Sequence, residues 1–287
     1  MLRCGVSSIG GLFSWIGLSG VSDLGKLINW RIFWVLLGAC IFGFVCIIPY
    51  TLTMQASLLE ELPFPLYTLL SLQIIQNIVI FAISIFIGLR LSRKVGLSLP
   101  ILECWSRGGR IGSILKAISG FSIILGVVAA IIIILLDLLF YFMFPNESVY
   151  AVELPQPPLW QGFLASFYGG INEEVLNRLF LMSLLLWIFS KIKKTEEGKP
   201  VGFTVWLAII IAAIIFGLLH IPSAAVFITI TPFVVIRSVI LNGVAGVIFG
   251  WLYWRKGLES AMISHFTADI VIHGILPLFI QSLSIYP

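Results

Sequence analysis

Charge is what this sequence has least of. Its 287 residues include 17 Lys or Arg, 13 Asp or Glu and three His, so charged side chains make up only 10% of the chain. A soluble domain carries about 25%. The shortage excludes a solvated globular surface, and with it a disordered chain, a coiled coil or a nucleic-acid-binding protein, because a net charge of +4 supplies no basic patch. Cysteine is scarce too: Cys4, Cys40, Cys46 and Cys104 fall in no CxxC or CxxxH spacing, which excludes a thiolate metal centre. The first 20 residues, with one Arg and a short apolar stretch broken by glycines, make a poor signal peptide.

What is present is apolar. Hydrophobic residues account for 60% of the chain, and the mean hydropathy is +1.10. No soluble fold can hide that much apolar surface, so the chain reads as an all-α, polytopic transmembrane helical bundle forming one integral-membrane domain over 1–287. A span needs about 20 mostly apolar residues. Clear stretches are 32–54, 66–89, 118–144 and 201–219; 159–190, 221–254 and the stretch from 258 onward are interrupted by polar residues or proline. The count is seven to eight spans, with no internal repeat.

A simple alternation of loops places 15 of the 17 basic residues on one side, among them Arg31, Arg93, Lys94, Lys116, Arg255 and Lys256. The opposite loops hold Glu60, Glu61, Glu147 and Glu153. The positive-inside rule puts the basic set in the cytoplasm.

Ionisable side chains within apolar stretches cost about 2.5–3.5 kcal/mol each and mark functional candidates. They are Asp137, Glu173, Glu174, Arg178, His220, Arg237, His265, Asp269 and His273. Glu174 and Arg178 lie four apart, on one helix face, and can pair. Glu173, about 100° round the helix, is left without its own cation, as a general base would be. His220 ends an apolar run just before Ile221-Pro222, where a helix C-terminal cap competes with a functional role. His265 and Asp269 are again four apart, so the carboxylate can orient the imidazole. His273 continues that face and is expected to be hydrogen-bonded within the bundle. Asp137 is expected to pair with Arg237.

The order Glu-Glu-x-x-x-Arg (173, 174, 178), Phe-x-x-x-His (216, 220) and His-x-x-x-Asp (265, 269) resembles the CPBP family. These are intramembrane glutamic endopeptidases that include the CAAX prenyl protease of eukaryotes and the bacterial Abi proteins. The glycine-rich stretch 242–258 also looks like that family's penultimate motif. The resemblance covers a catalytic core of 159–273 and leaves 1–158 as poorly matched N-terminal spans. It implies an active site inside the bundle that hydrolyses a peptide bond of a lipidated or membrane-embedded peptide, in a prokaryotic cell membrane, with no metal or other cofactor. Glu173 and His220 would activate water, His265 and Asp269 would stabilise the oxyanion, and Arg178 would neutralise and position Glu174. The family often has Asn where Asp269 stands. An ionised Asp cannot donate a hydrogen bond, so it is either protonated or serves to orient His265.

Three competing readings follow from the same residues. A zinc protease would use Glu, His and His as ligands, although no HExxH is present. A non-catalytic membrane protein, for bacteriocin immunity or as a scaffold for a sensor or partner protein, would not need Glu173. A proton-coupled transporter would use the buried acids and histidines as a relay.

Depth constrains the topology. If helices start near Gly169-Gly170 and near His265, a single crossing between 221 and 257 would leave His265 about 15–20 Å from His220. The expectation is therefore an eighth span or a broken segment around Pro232 and Arg237.

Overall fold

The computed structural model describes residues 28–60, 63–151, 155–192 and 200–283. The N-terminal stretch read as a poor signal peptide, with Glu61, Glu153, Lys193, Lys194 and Lys199, lies outside the described residues. The described residues form an all-α bundle. In chain order the helices are α1 (Trp30–Met54), α2 (Ala56–Glu60), α3 (Leu66–Val95), α4 (Pro100–Ser106), α5 (Gly112–Met143), α6 (Ser148–Ala151) and α7 (Leu159–Phe167). Two π-helical stretches follow, π1 (Tyr168–Glu173) and π2 (Val175–Met182). Then come α8 (Ser183–Ile192), α9 (Gly202–Leu219), α10 (Ile221–Ala224), α11 (Pro232–Lys256), α12 (Leu258–Asp269), π3 (Ile270–Ile275) and α13 (Leu276–Leu283).

Six helical stretches among the described residues are long and apolar enough to cross a membrane, the first at Trp30–Met54 and the last at Leu258–Phe279. The chain is an integral membrane protein. The seven to eight spans expected from sequence are not all among these six. The missing stretch is 159–190, which is helical throughout but breaks into α7, π1, π2 and α8. Outward faces are apolar, with Leu135, Phe142 and Phe203 exposed, as a lipid-facing surface requires.

One end of the bundle gathers around α4. Asn29, just before α1, donates to Ser106 Oγ at 2.9 Å. The Leu258 N–H, at the start of α12, donates to Ser98 O at 3.1 Å, and the Leu102 N–H donates to the buried carboxylate of Glu259 at 2.9 Å. The tight turn from α11 to α12 is made at Gly257, whose φ of +98° suits glycine. The helix ends gathered here bring Arg31, Arg93, Lys94, Lys116, Arg255 and Lys256 to one side of the bundle.

Helix α11 corrects the depth expectation. Pro232 does not break a helix there but begins one, at its first position, capped by the Thr231 hydroxyl accepting from Val234 N–H at 3.3 Å. The helix then runs unbroken through Arg237 to Lys256. Antiparallel α9 packs closely on it: Gly217 lies against Val239, and Gly246 against Ala213. Arg237 meets Asp137 of α5, with Nη2 and Nε at 2.6 and 2.8 Å from Oδ1, so the expected pair is present. The Tyr150 hydroxyl donates to the same oxygen at 3.4 Å.

A single crossing by α11 does not separate the histidines, because His265 is not at a helix start. It sits seven residues into α12, about 10 Å along the axis. Glu173 is likewise deep, since its helical path begins at Leu159 rather than at the glycine pair.

Candidate active site

The Gly169-Gly170 pair does not start a helix. It lets π1 approach α12. A Cβ on Gly169 would collide with the Asp269 carboxylate and lie 3.2 Å from His265 Nε2; one on Gly170 would lie 2.7 Å from Phe266 Cβ. π-turns hydrogen-bond from i to i+5 and often occur at functional sites. Here they orient five polar residues inside an apolar helix: Asn172, Glu173, Glu174, Asn177 and Arg178.

Glu174 and Arg178 are the buried foundation. Both are essentially inaccessible, with Arg178 Nε 3.3 Å from Glu174 Oε2. That contact is an attraction of charges without the alignment of a hydrogen bond. The guanidinium uses its other atoms elsewhere. Nη2 donates to Gly246 O at 3.2 Å, Nη1 lies 3.1 Å from the Asn177 amide oxygen, and the Phe216 and Phe249 rings lie 4.9 and 5.5 Å from its centre. An arginine can hold all of these contacts at once because its fork is planar and charged throughout.

Glu174 also reaches the next helix. Its Oε1 is 2.8 Å from His265 Nδ1. A carboxylate accepts, so Nδ1 donates and the ring orientation is set. Nε2 then faces Glu173 Oε2 at 3.7 Å and Asp269 Oδ1 at 3.6 Å. Phe249 stacks on the ring at 4.6 Å and Phe216 meets it edge-on at 5.7 Å. The orienting contact expected of Asp269 is thus made by Glu174, and Glu173 is not without a neighbour, since it faces His265 Nε2. Glu173 keeps 25% of its side chain accessible, against none for Glu174, so it alone of the adjacent pair opens outward.

His220 follows the last residue of α9. Its Nδ1 is 2.8 Å from Phe216 O. A carbonyl only accepts, so Nδ1 carries the hydrogen and Nε2 presents a lone pair. Phe216 lies edge-on to both histidines, at 4.8 Å from the His220 ring. No ion pair within 4.0 Å joins His220 to Glu173. His273 lies one turn beyond Asp269; its ring meets that of Tyr50 at 6.1 Å, and it makes no side-chain hydrogen bond among the described residues, contrary to expectation. Asp137 and Arg237 pair on α5 and α11 and do not join the His265 cluster. No three His, Cys, Asp or Glu donors among the described residues group around a point where an ion could sit.

Two contributors escaped the sequence reading. Asn172 is fully buried and ties π1 to α1 by donating to Cys40 O at 2.8 Å. Asn177 donates to Ala212 O at 3.1 Å while its oxygen faces Arg178. The signal for both was an amide inside an apolar run, the same signal that singled out the charged residues.

Replacing Gly169 tests the close approach. Gly169→Ala is expected to displace Asp269 or His265, because neither neighbour can yield without leaving the cluster. Activity should fall out of proportion to any change in melting temperature, measured on one purified sample.

The described residues thus form an apolar helical bundle with glutamates and a histidine meeting at its buried centre. Residues 155–271, about two fifths of the chain, match the family described as Type II CAAX prenyl endopeptidase Rce1-like, in keeping with the resemblance of its motifs. No curated protein and no solved structure matches it.

Proposed function

We propose that this chain is an intramembrane endopeptidase that hydrolyses a peptide bond of a lipidated or membrane-embedded peptide with a glutamate-activated water. The observation that carries the reading is the fixed His265 ring: Glu174 holds Nδ1, so Nε2 and the accessible Glu173 face each other across 3.7 Å. Glu173 takes a proton from water as its oxygen attacks the scissile carbonyl carbon. His220, with its Nε2 lone pair free, assists that transfer. The carbonyl oxygen becomes an oxyanion and is met by His265 Nε2. That role requires protons on both ring nitrogens, and Glu173, Glu174 and Asp269 supply the countercharge. The C–N bond then breaks, the proton passes to the departing nitrogen, and a carboxylate and an amine leave. Arg178 and Glu174 act as positioning residues.

The basic end of the bundle faces the cytoplasm on this reading, in a prokaryotic cell membrane. The test compares wild type with Glu173→Gln, each reconstituted with a fluorogenic farnesylated CAAX peptide and with unmodified peptides. Cleavage lost only in the variant supports the reading. Cleavage that persists in the variant, or that chelator removes and zinc restores, overturns this mechanism.

Asp269 favours a second reading, because a carboxylate stands where the family often has an amide. On that reading the chain is a non-catalytic membrane protein, for immunity or as a partner scaffold, and its cellular phenotype survives Glu173→Gln. Asp269→Asn separates the two. In a protease it adds a donor beside His265 Nε2 and is expected not to lower kcat, whereas Asp269→Ala removes a countercharge of His265 without supplying a donor and is expected to lower it.

A further inference from the structure

A cavity of about 270 Å³ lies between α1, α2 and α3, with Tyr168 of π1 as part of its wall. It lies within the first 158 residues except at Tyr168, and the site described above does not include it. Its lining carries no charged side chain. Among its apolar residues stand Thr51, Gln55, Gln73, Gln76 and Asn77.

Three of these amides lack partners. Asn77 turns back on its own helix, donating to the Gln73 backbone carbonyl at 2.8 Å. The side chains of Gln55, Gln73 and Gln76 make no hydrogen bond among the described residues. Gln76 lies ten residues into α3, about 15 Å along the axis from its start, in a helix long and apolar enough to span a membrane. An amide left unpaired at such depth costs several kcal/mol unless something polar meets it.

Geometry joins this cavity to the active site. Residues five apart in a π-turn share a face, and Tyr168 and Glu173 are the two ends of π1. The turn that places Tyr168 in the cavity wall therefore points Glu173 toward the same side. A regular α-helix would set the two about 140° apart. Helix α1 makes the second link. Its Cys40 carbonyl holds Asn172, the neighbour of Glu173, and one turn further on its Phe44 lines the cavity.

We infer that this cavity is the subsite for the uncharged peptide backbone beside the scissile bond. The free amides of Gln55, Gln73 and Gln76 pair with backbone N–H and C=O groups of a peptide entering from the bilayer. The proposal rests on the protease reading and deepens it. An extended peptide has both donors and acceptors in alternation, which Gln can satisfy at both ends of its amide. The absence of any charged lining residue selects against ionised side chains at the bound positions.

The test has two independent arms. In the first, Gln73→Leu/Gln76→Leu is assayed with the farnesylated fluorogenic peptide, folding being checked by thermal melting. KM is expected to rise about tenfold, the loss of two neutral hydrogen bonds, with kcat kept. An unchanged KM overturns the inference. In the second, full-length Glu173→Gln in phosphatidylcholine vesicles is photolysed with the same peptide carrying a diazirine, and the adducts are mapped. Adducts on 44–55 or 69–77 support the subsite. Adducts elsewhere, no peptide binding, or a phospholipid in the cavity that the peptide does not displace each overturn it. If wild type cleaves nothing while adducts still map to the cavity, the protease reading falls and the peptide site stands.

Discussion

Glu173→Gln is expected to lower kcat by about 10²–10⁴, the contribution of a positioned general base, and to leave the melting temperature close to that of wild type. The two carboxylates next to each other make this a sharp test. Glu173 touches its neighbour only at 3.7 Å and a quarter of its side chain is accessible, so an amide of the same shape disturbs little packing. Glu174 is fully buried and holds both Arg178 and His265, so Glu174→Gln should lose stability as well as rate. If Glu174 were the base instead, Glu173→Gln would keep its rate and Glu174→Gln would carry both the rate loss and the stability loss. Steady-state cleavage and thermal melting on the same preparations decide between them.

Arg178→Met is the variant with the largest expected cost to the fold. It leaves the Glu174 carboxylate buried beside apolar rings without its cation, a change that costs about 3–5 kcal/mol. Arg178→Lys should recover only part of this. A lysine brings one ammonium, whereas Arg178 simultaneously contacts Glu174, Gly246 O, the Asn177 amide and two aromatic faces. Removing both charges, in Arg178→Met/Glu174→Gln, should restore stability relative to Arg178→Met alone, and the double-mutant cycle gives their coupling. Melting measured in one detergent for all four proteins checks the prediction; a wild-type melting temperature for Arg178→Met would mean that the pair does not hold π2 in place.

Much of this site can be read from local spacing. Glu174 and Arg178 are within one turn, and their pairing follows from helical geometry even where the helix relaxes to π. Asp137 and Arg237 are a hundred residues apart, but each is the other's available countercharge inside an apolar helix, and they meet. The contact that orients His265 was not legible. It comes from Glu174, 91 residues away, rather than from the neighbouring Asp269. Three carboxylates in reach of one imidazole cannot be ranked without the packing of α12 against π1. Gly169 and Gly170 misled for a related reason. Glycine marks a helix end or a close approach equally well, and only the position of Asp269 and Phe266 distinguishes them. The amides lining the α1–α3 cavity passed unnoticed because an uncharged Gln in an apolar run costs far less than an acid and attracts no attention by itself.

The π-turns also set a rule about length. Each turn of π1 and π2 holds more chain than an α-turn, so the stretch from Tyr168 to Met182 carries surplus residues without bulging out of the helix. Shortening it by one residue would let one π-turn relax to α and re-aim the residues inside that turn while its flanks stay in register. The cost of such a deletion therefore falls on where Glu173 and Glu174 point rather than on the packing of the helices to either side.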